Sequence, residues 1–231
     1  MTPSWRADLL SRAYELWWLK AVGTTLWTWL FFIGYFELLN RPGLQPTVLP
    51  LTALDRLIPF QPAMLWPYLS LWFYVGFAPG LQRGLGELLA YGAWVGALLA
   101  TGLLLFWLWP TAVPPIDIHR IAHPGFAMLE GVDATGNACP SMHVAIAVFT
   151  AVRLQALLRE VGSPASLRAV NVAWCLVITW STVAVRQHVV LDVAAGAALG
   201  LAFVLASLRW RPRAMARRSG YHRPATYDRL P

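Results

Sequence analysis

Two short polar stretches interrupt an otherwise oily chain, and their residue types and spacing point to chemistry. The first, RQHVVLD at 186–192, gathers a guanidinium, an imidazole and a carboxylate between apolar runs. His188 and Asp192 stand four apart, so on a helix they share a face, and the carboxylate can accept a hydrogen bond from one ring nitrogen. That bond fixes the tautomer and makes the other nitrogen the better nucleophile. Arg186, two residues earlier, turns a forked donor toward an anion, with phosphate the natural candidate. The second stretch, CPSMH at 139–143, opens another apolar run. Pro140 suits the first position of a helix, where a missing N–H costs nothing. The helix N-terminus then offers backbone N–H groups and partial positive charge, with the Ser141 hydroxyl alongside. His143 follows within the first turn and suits protonation of a leaving oxygen. An anion cradle, an oriented nucleophile and a proton donor are what phosphoryl transfer needs without a metal.

Each part also has a plainer reading. A single histidine near a helix end is more often structural or interfacial. Two histidines and a carboxylate converging at membrane depth shift the balance toward function, because ionisable groups are expensive there. A two-histidine, one-carboxylate metal site is the competing chemistry. Pro-Ser before one histidine and Arg beside the other fit an anion better than a cation. The expectation is therefore a site with no metal and no cofactor.

The elements that must position these groups are apolar runs. The chain has 231 residues, 58% hydrophobic and 13% charged, with 13 Trp, a profile of a membrane protein. Runs near the length needed to cross a bilayer fall at 17–39, 63–81, 88–109, 142–158, 169–185 and 189–208. These predict an all-α, six-helix transmembrane bundle over 1–208, followed by a basic tail at 209–231. The breakers between them are Asn40-Arg41-Pro42, Pro79-Gly80, Pro110 with Pro114-Pro115, and Gly162-Ser163-Pro164. The first run is long and aromatic and lacks a small-residue cleavage site, so it reads as a retained span and not a signal peptide.

The net charge of +7 does not imply nucleic acid, because the cations gather at the termini and in short gaps, as topology signals do. Arg6, Arg12, Lys20, Arg83, Arg153, Arg159, Arg168 and the tail arginines fall on one side. Arg41, Arg56, Arg120 and Arg186 fall on the other. Both termini are thus expected in the cytoplasm, with the two polar stretches on the outer face. Residues 51–70 read equally as an interfacial helix or a connecting loop. Lys20 is expected to snorkel, Glu37 and Glu87 to sit hydrated near helix ends, and the tryptophans to form interfacial belts. Cys139 and Cys175 suggest neither disulfide nor metal. No feature fixes an oligomeric state.

PSMH at 140–143 followed by STVAVRQHVVLDVAAG at 181–196 resembles the second and third signature motifs of the type 2 phosphatidic acid phosphatase superfamily. The wording of residues 54–70 and of RQHVVLD is most similar to the branch containing inositol phosphorylceramide synthases. The resemblance implies a six-helix membrane enzyme of the lipid phosphate phosphatase type. In it His188 forms a phosphohistidine, Asp192 orients it, His143 protonates the leaving group and Ser141 helps hold phosphate. Two departures stand out. Thr182, not Arg, follows Ser181, so the cation role passes to Arg186. The first motif, a Lys and then Arg-Pro, is absent from PTAVPPIDIHRIAHPG at 110–125, where Arg120, His119 or His123 are the candidates to replace its charge.

The expected activity is a metal-free lipid-phosphate phosphatase in a bacterial cytoplasmic membrane, for instance on phosphatidic acid, phosphatidylglycerophosphate or a polyprenyl phosphate. Its alternatives are a phospholipid head-group transferase and a non-catalytic lipid-phosphate binder or flippase.

Overall fold

The computed structural model describes residues 4–41, 43–114 and 137–210. An N-terminal helix α1 (Trp5–Tyr14) is capped by the Ser4 hydroxyl and leads through Leu16, which has positive φ, into α2 (Trp17–Asn40). A short strand β1 (Thr47–Val48), a helical turn α3 (Ala53–Leu57), a 3-10 turn (Pro62–Met64), α4 (Leu65–Leu69) and α5 (Leu71–Gly80) follow. Then come α6 (Gly84–Leu108), β2 (Thr111–Ala112), α7 (Met142–Glu160), α8 (Ala165–Ala184) and α9 (Val190–Arg209). The strands pair in parallel, Thr47 with Thr111 and Val48 with Ala112. The protein is a mostly helical, multi-pass membrane protein.

Among the described residues five helices, α2, α6, α7, α8 and α9, are long and apolar enough to cross a membrane. The expected second span is divided. Its helix is interrupted at Ser70, where the Ser70 hydroxyl donates to the Pro67 carbonyl at 2.6 Å and His143 to that of Tyr68. The divided tract nonetheless joins both ends of the bundle: the Tyr68 carbonyl meets His143, and the Gly80 carbonyl meets Lys20.

Helix α7 is the buried centre, with Val144, Ala145, Ala147 and Phe149 fully enclosed. It packs most closely on α9, where Gly196 and Gly200 face it: a Cβ on Gly196 would collide with the Ser141 carbonyl oxygen, and one on Gly200 with that of Ala145. Small residues four apart let two helix backbones approach this closely inside a bilayer.

Of the cations that the sequence assigned to one side, Arg12 and Arg83 lie together, where Arg12 bridges Asp8 (2.8 Å) and Glu160 (2.7 Å) and Arg83 reaches Asp8 (2.6 Å). Arg153 donates to Gln82 at 3.0 Å in the same region. Lys20 does not snorkel. It is buried, its ammonium donating to the carbonyls of Arg12 and Gly80, so it ties α1, α2 and α5 together. Glu37 pairs with Arg41, and Glu87 accepts from the Arg83 N–H. Trp17, Trp18, Trp107 and Trp109 are exposed at the ends of their helices, as belts require.

Candidate active site

The end of α8 sets the position of His188. Val183 accepts from the Arg186 N–H at 2.9 Å and Thr182 from the Gln187 N–H at 3.1 Å, the paired bonds of a Schellman stop. The residue at the left-handed position of that stop is Arg186, with φ +60, where glycine is the usual occupant and an L side chain is strained. His188 N–H also donates to Thr182 at 3.1 Å, and α9 starts two residues later. The first turn of α9 then brings the Asp192 carboxylate under the ring: His188 Nδ1–H donates to Oδ2 at 2.9 Å, and Asp192 is wholly buried. The bond joins the two residues that the sequence paired, and it leaves Nε2 without the proton. The other carboxylate oxygen, Oδ1, has no hydrogen-bond partner among the described residues.

The second stretch opens α7, with Ser141 as its N-cap and not Pro140 as its first residue. The Ser141 hydroxyl accepts from the Val144 N–H at 3.3 Å and Pro140 lies outside the helix, after a cis bond from Cys139. A serine cap satisfies a helix donor that proline at the first position would not. The Ser141 N–H donates to the Asp192 carbonyl at 2.9 Å, which fastens the start of α7 to the first turn of α9. Met142 and His143 thus keep N–H groups without an intrahelical partner. His143 Nε2–H donates to the Tyr68 carbonyl at 3.0 Å, and its ring stacks on that of Tyr68 with centroids 4.1 Å apart.

The two imidazoles meet, 6.5 Å between ring centroids. That separation puts both rings within reach of one small bound anion. Both rings line an apolar cavity of about 640 Å3 that continues between α2, α5 and α6 past Trp27, Val75 and Leu88. Among the described residues no group of three His, Cys, Asp or Glu side chains is placed to hold a metal.

Residues 87–216, more than half of the chain, match the sequence model of the PAP2 superfamily. The chain belongs to the PAP2 superfamily. No curated protein and no solved structure matches it. PAP2 superfamily members are typically phosphatases or phosphotransferases, which fits a paired-histidine site at the end of an apolar helical bundle.

Arg186 sits where α8 stops, and its guanidinium donates to the Asp55 carbonyl (2.8 Å) and the Ile58 carbonyl (2.7 Å). Residues 51–70 are therefore neither a plain loop nor a free surface helix. They form a strap whose outer residues Leu54, Leu57 and Trp66 are exposed and whose inner residues Asp55, Leu65 and Tyr68 are buried. Asp55 is the residue here that sequence reasoning missed; Thr52-x-x-Asp55 is a capping-box pattern that could have pointed to its local role but not to its long-range bond. Its Oδ1 accepts from the Val190 N–H at 2.8 Å, while Oδ2 accepts from the Thr52 N–H (2.7 Å) and hydroxyl (2.6 Å). Burial opposes its charge, but the bonds from Thr52 and Val190 and the nearby Arg186 outweigh burial and hold the carboxyl below its ordinary range. Arg120, His119, His123 and the tail beyond residue 210 lie outside the described residues.

Proposed function

We propose that this PAP2 superfamily protein is a lipid-phosphate phosphatase that works through a phosphohistidine on His188. The observation that carries the reading is the arrangement on the cavity wall: an imidazole oriented by a buried carboxylate, with a second imidazole 6.5 Å away between ring centroids.

His188 Nε2 attacks phosphorus while the lipid's P–O bond breaks, and His143 gives its proton to the departing oxygen. The Tyr68 carbonyl holds His143 Nε2–H, so the proton in exchange is the one on Nδ1 of the imidazolium form. The N–H groups of Met142 and His143 and the partial charge of the α7 N-terminus hold the phosphoryl oxygens. Arg186, fixed by its two carbonyls, adds positive charge. Ser141, buried as the cap, places those N–H groups. Water then attacks phosphorus, His143 takes its proton, the P–N bond breaks and phosphate leaves. The apolar cavity supports a lipid substrate, its tail beside α2, α5 and α6 while its phosphate reaches the histidines.

The same phosphoenzyme passed to an alcohol gives head-group transfer, the reading favoured by the inositol phosphorylceramide synthase-like wording of the strap. A binder without turnover has no need of the His188–Asp192 pair. The divided helix α4–α5 serves as a sixth crossing, since it joins the His143 end to the Lys20 end. With six crossings both termini are cytoplasmic, and the site opens to the outer face of a bacterial inner membrane.

The test is detergent-solubilised protein given phosphatidic acid, phosphatidylglycerophosphate or a polyprenyl phosphate, with and without alcohol acceptors. Phosphate release that survives excess chelator and is blocked by vanadate supports the phosphatase. New lipid products only with an acceptor make it a transferase. A lipid phosphate that raises the unfolding temperature without turnover makes it a binder.

A further inference from the structure

Helix α9 carries Asp192 in its first turn, yet its own N-cap residue, Val189, has no side chain able to cap it. A helix start without a cap frays, and fraying here would loosen the carboxylate that aims His188. The missing cap comes from elsewhere. Asp55, 135 positions earlier, places Oδ1 at 2.8 Å from the N–H of Val190, the first residue of α9. A carboxylate at that end also suits the positive pole of the helix.

Asp55 has a local duty as well, the capping box it makes with Thr52 at the start of α3. That duty does not explain its placement. A five-residue helix can be capped at a surface, whereas Asp55 is 1% exposed. It uses its Oδ2 on Thr52 and its Oδ1 on α9. The same strap grips the site at three more points. Arg186 is held by the carbonyls of Asp55 and Ile58, the Gln61 N–H donates to the Ala184 carbonyl at 2.9 Å, and Tyr68 holds His143. All of these strap residues precede residue 87, where the superfamily match begins.

We propose that Asp55 is a positioning residue for the reaction: a borrowed cap that fixes the start of α9, and through it the His188–Asp192 pair, against the strap. It touches no reacting atom. The proposal rests on His188 being the nucleophile, and its test separates the two claims.

Asp55→Ala and Asp55→Asn are purified with the wild type, checked for a single monodisperse species, and read in two ways. The first is turnover of a short-chain phosphatidic acid. The second is the rate at which diethyl pyrocarbonate modifies His188, followed by peptide mass spectrometry. Loss of the cap displaces His188 on the ångström scale, so kcat in Asp55→Ala falls on the order of 100-fold while KM stays near wild type, and the loosened His188 is modified faster. A smaller active fraction would also lower apparent kcat at unchanged KM, so kcat is expressed per active site from the burst of phosphoenzyme, and a loss that vanishes on that basis overturns the proposal. Asp55→Asn, which keeps an oxygen for Val190, lies between; if the alanine variant does not fold, this one decides. Wild-type kcat and wild-type His188 modification in the deciding variant overturn the proposal. If the wild type releases no phosphate, the modification rate still decides: faster labelling keeps the cap and removes the phosphatase, and unchanged labelling removes the cap.

Discussion

Gly196→Ala adds a single methyl group on the face of α9 that touches the start of α7. The new Cβ would lie 3.1 Å from the Ser141 carbonyl carbon and 3.2 Å from its Cβ, and closer still to the carbonyl oxygen, where ordinary contact begins at 3.4 Å. The obstacle is backbone on a fixed helix cap, so it cannot swing aside, and the helices must part by about 1 Å. Overpacking of this kind costs about 1–3 kcal/mol, partly offset by the gain of up to about 1 kcal/mol when alanine replaces glycine in a helix. The larger effect is functional. Ser141 lies one residue before α7 and is bonded to Asp192, so parting the helices there moves one imidazole relative to the other. A misplacement of about 1 Å lowers turnover on the order of 100-fold. The assay is phosphate release from a short-chain lipid phosphate beside thermal unfolding in detergent, with Gly76→Ala as control because its Cβ meets nothing within 4 Å. Full activity and an unchanged unfolding temperature in Gly196→Ala would refute the close packing as the device that sets the site.

Two further outcomes follow from the same geometry. Asp192→Asn keeps the shape beside His188 Nδ1 but removes the charge that stabilises the ring as it turns cationic, so kcat falls by about 10²–10⁴-fold; activity within a factor of two of wild type would contradict the orienting role. Asp55 and Asp8 both have depressed carboxyl pKa values. For Asp8 burial opposes the charge, but the bonds and charges of Arg12 and Arg83 outweigh it. The unfolded chain binds more protons there, so this stability is complete above about pH 4 and is lost as pH falls through the lower folded values. Unfolding temperature against pH should stay flat from 7 to about 5 and drop below about 4, less steeply in Asp55→Asn; a slope of equal size in both proteins would contradict the assignment.

The candidate site residues were legible because their pairing is local. His188 and Asp192 share a helix turn, and Ser141 and His143 share another, so spacing alone pairs each set. Their meeting followed from two crossings of similar length between them. The divided second span was harder to read: its apolar content is continuous, and the interruption depends on how the Ser70 hydroxyl turns back and on His143 bonding the Tyr68 carbonyl. The strap stood out as a segment, but its grip on the site was hidden for a different reason. Asp55 finds its partner 135 residues away, and no periodicity encodes such a bond. Arg186 was readable as a cation two residues from His188, but sequence could not show that it occupies a left-handed helix stop fastened by two carbonyls. Gly196 and Gly200, four apart in an apolar run, did carry a readable sign of close helix packing.

Rapid quenching of the protein during turnover of a 32P-labelled lipid phosphate, followed by peptide mapping, tests the account most directly. It predicts acid-labile, alkali-stable label on the peptide containing His188, absent from His188→Ala, which is also inactive. Turnover by His188→Ala, or label carried on another residue, would contradict it.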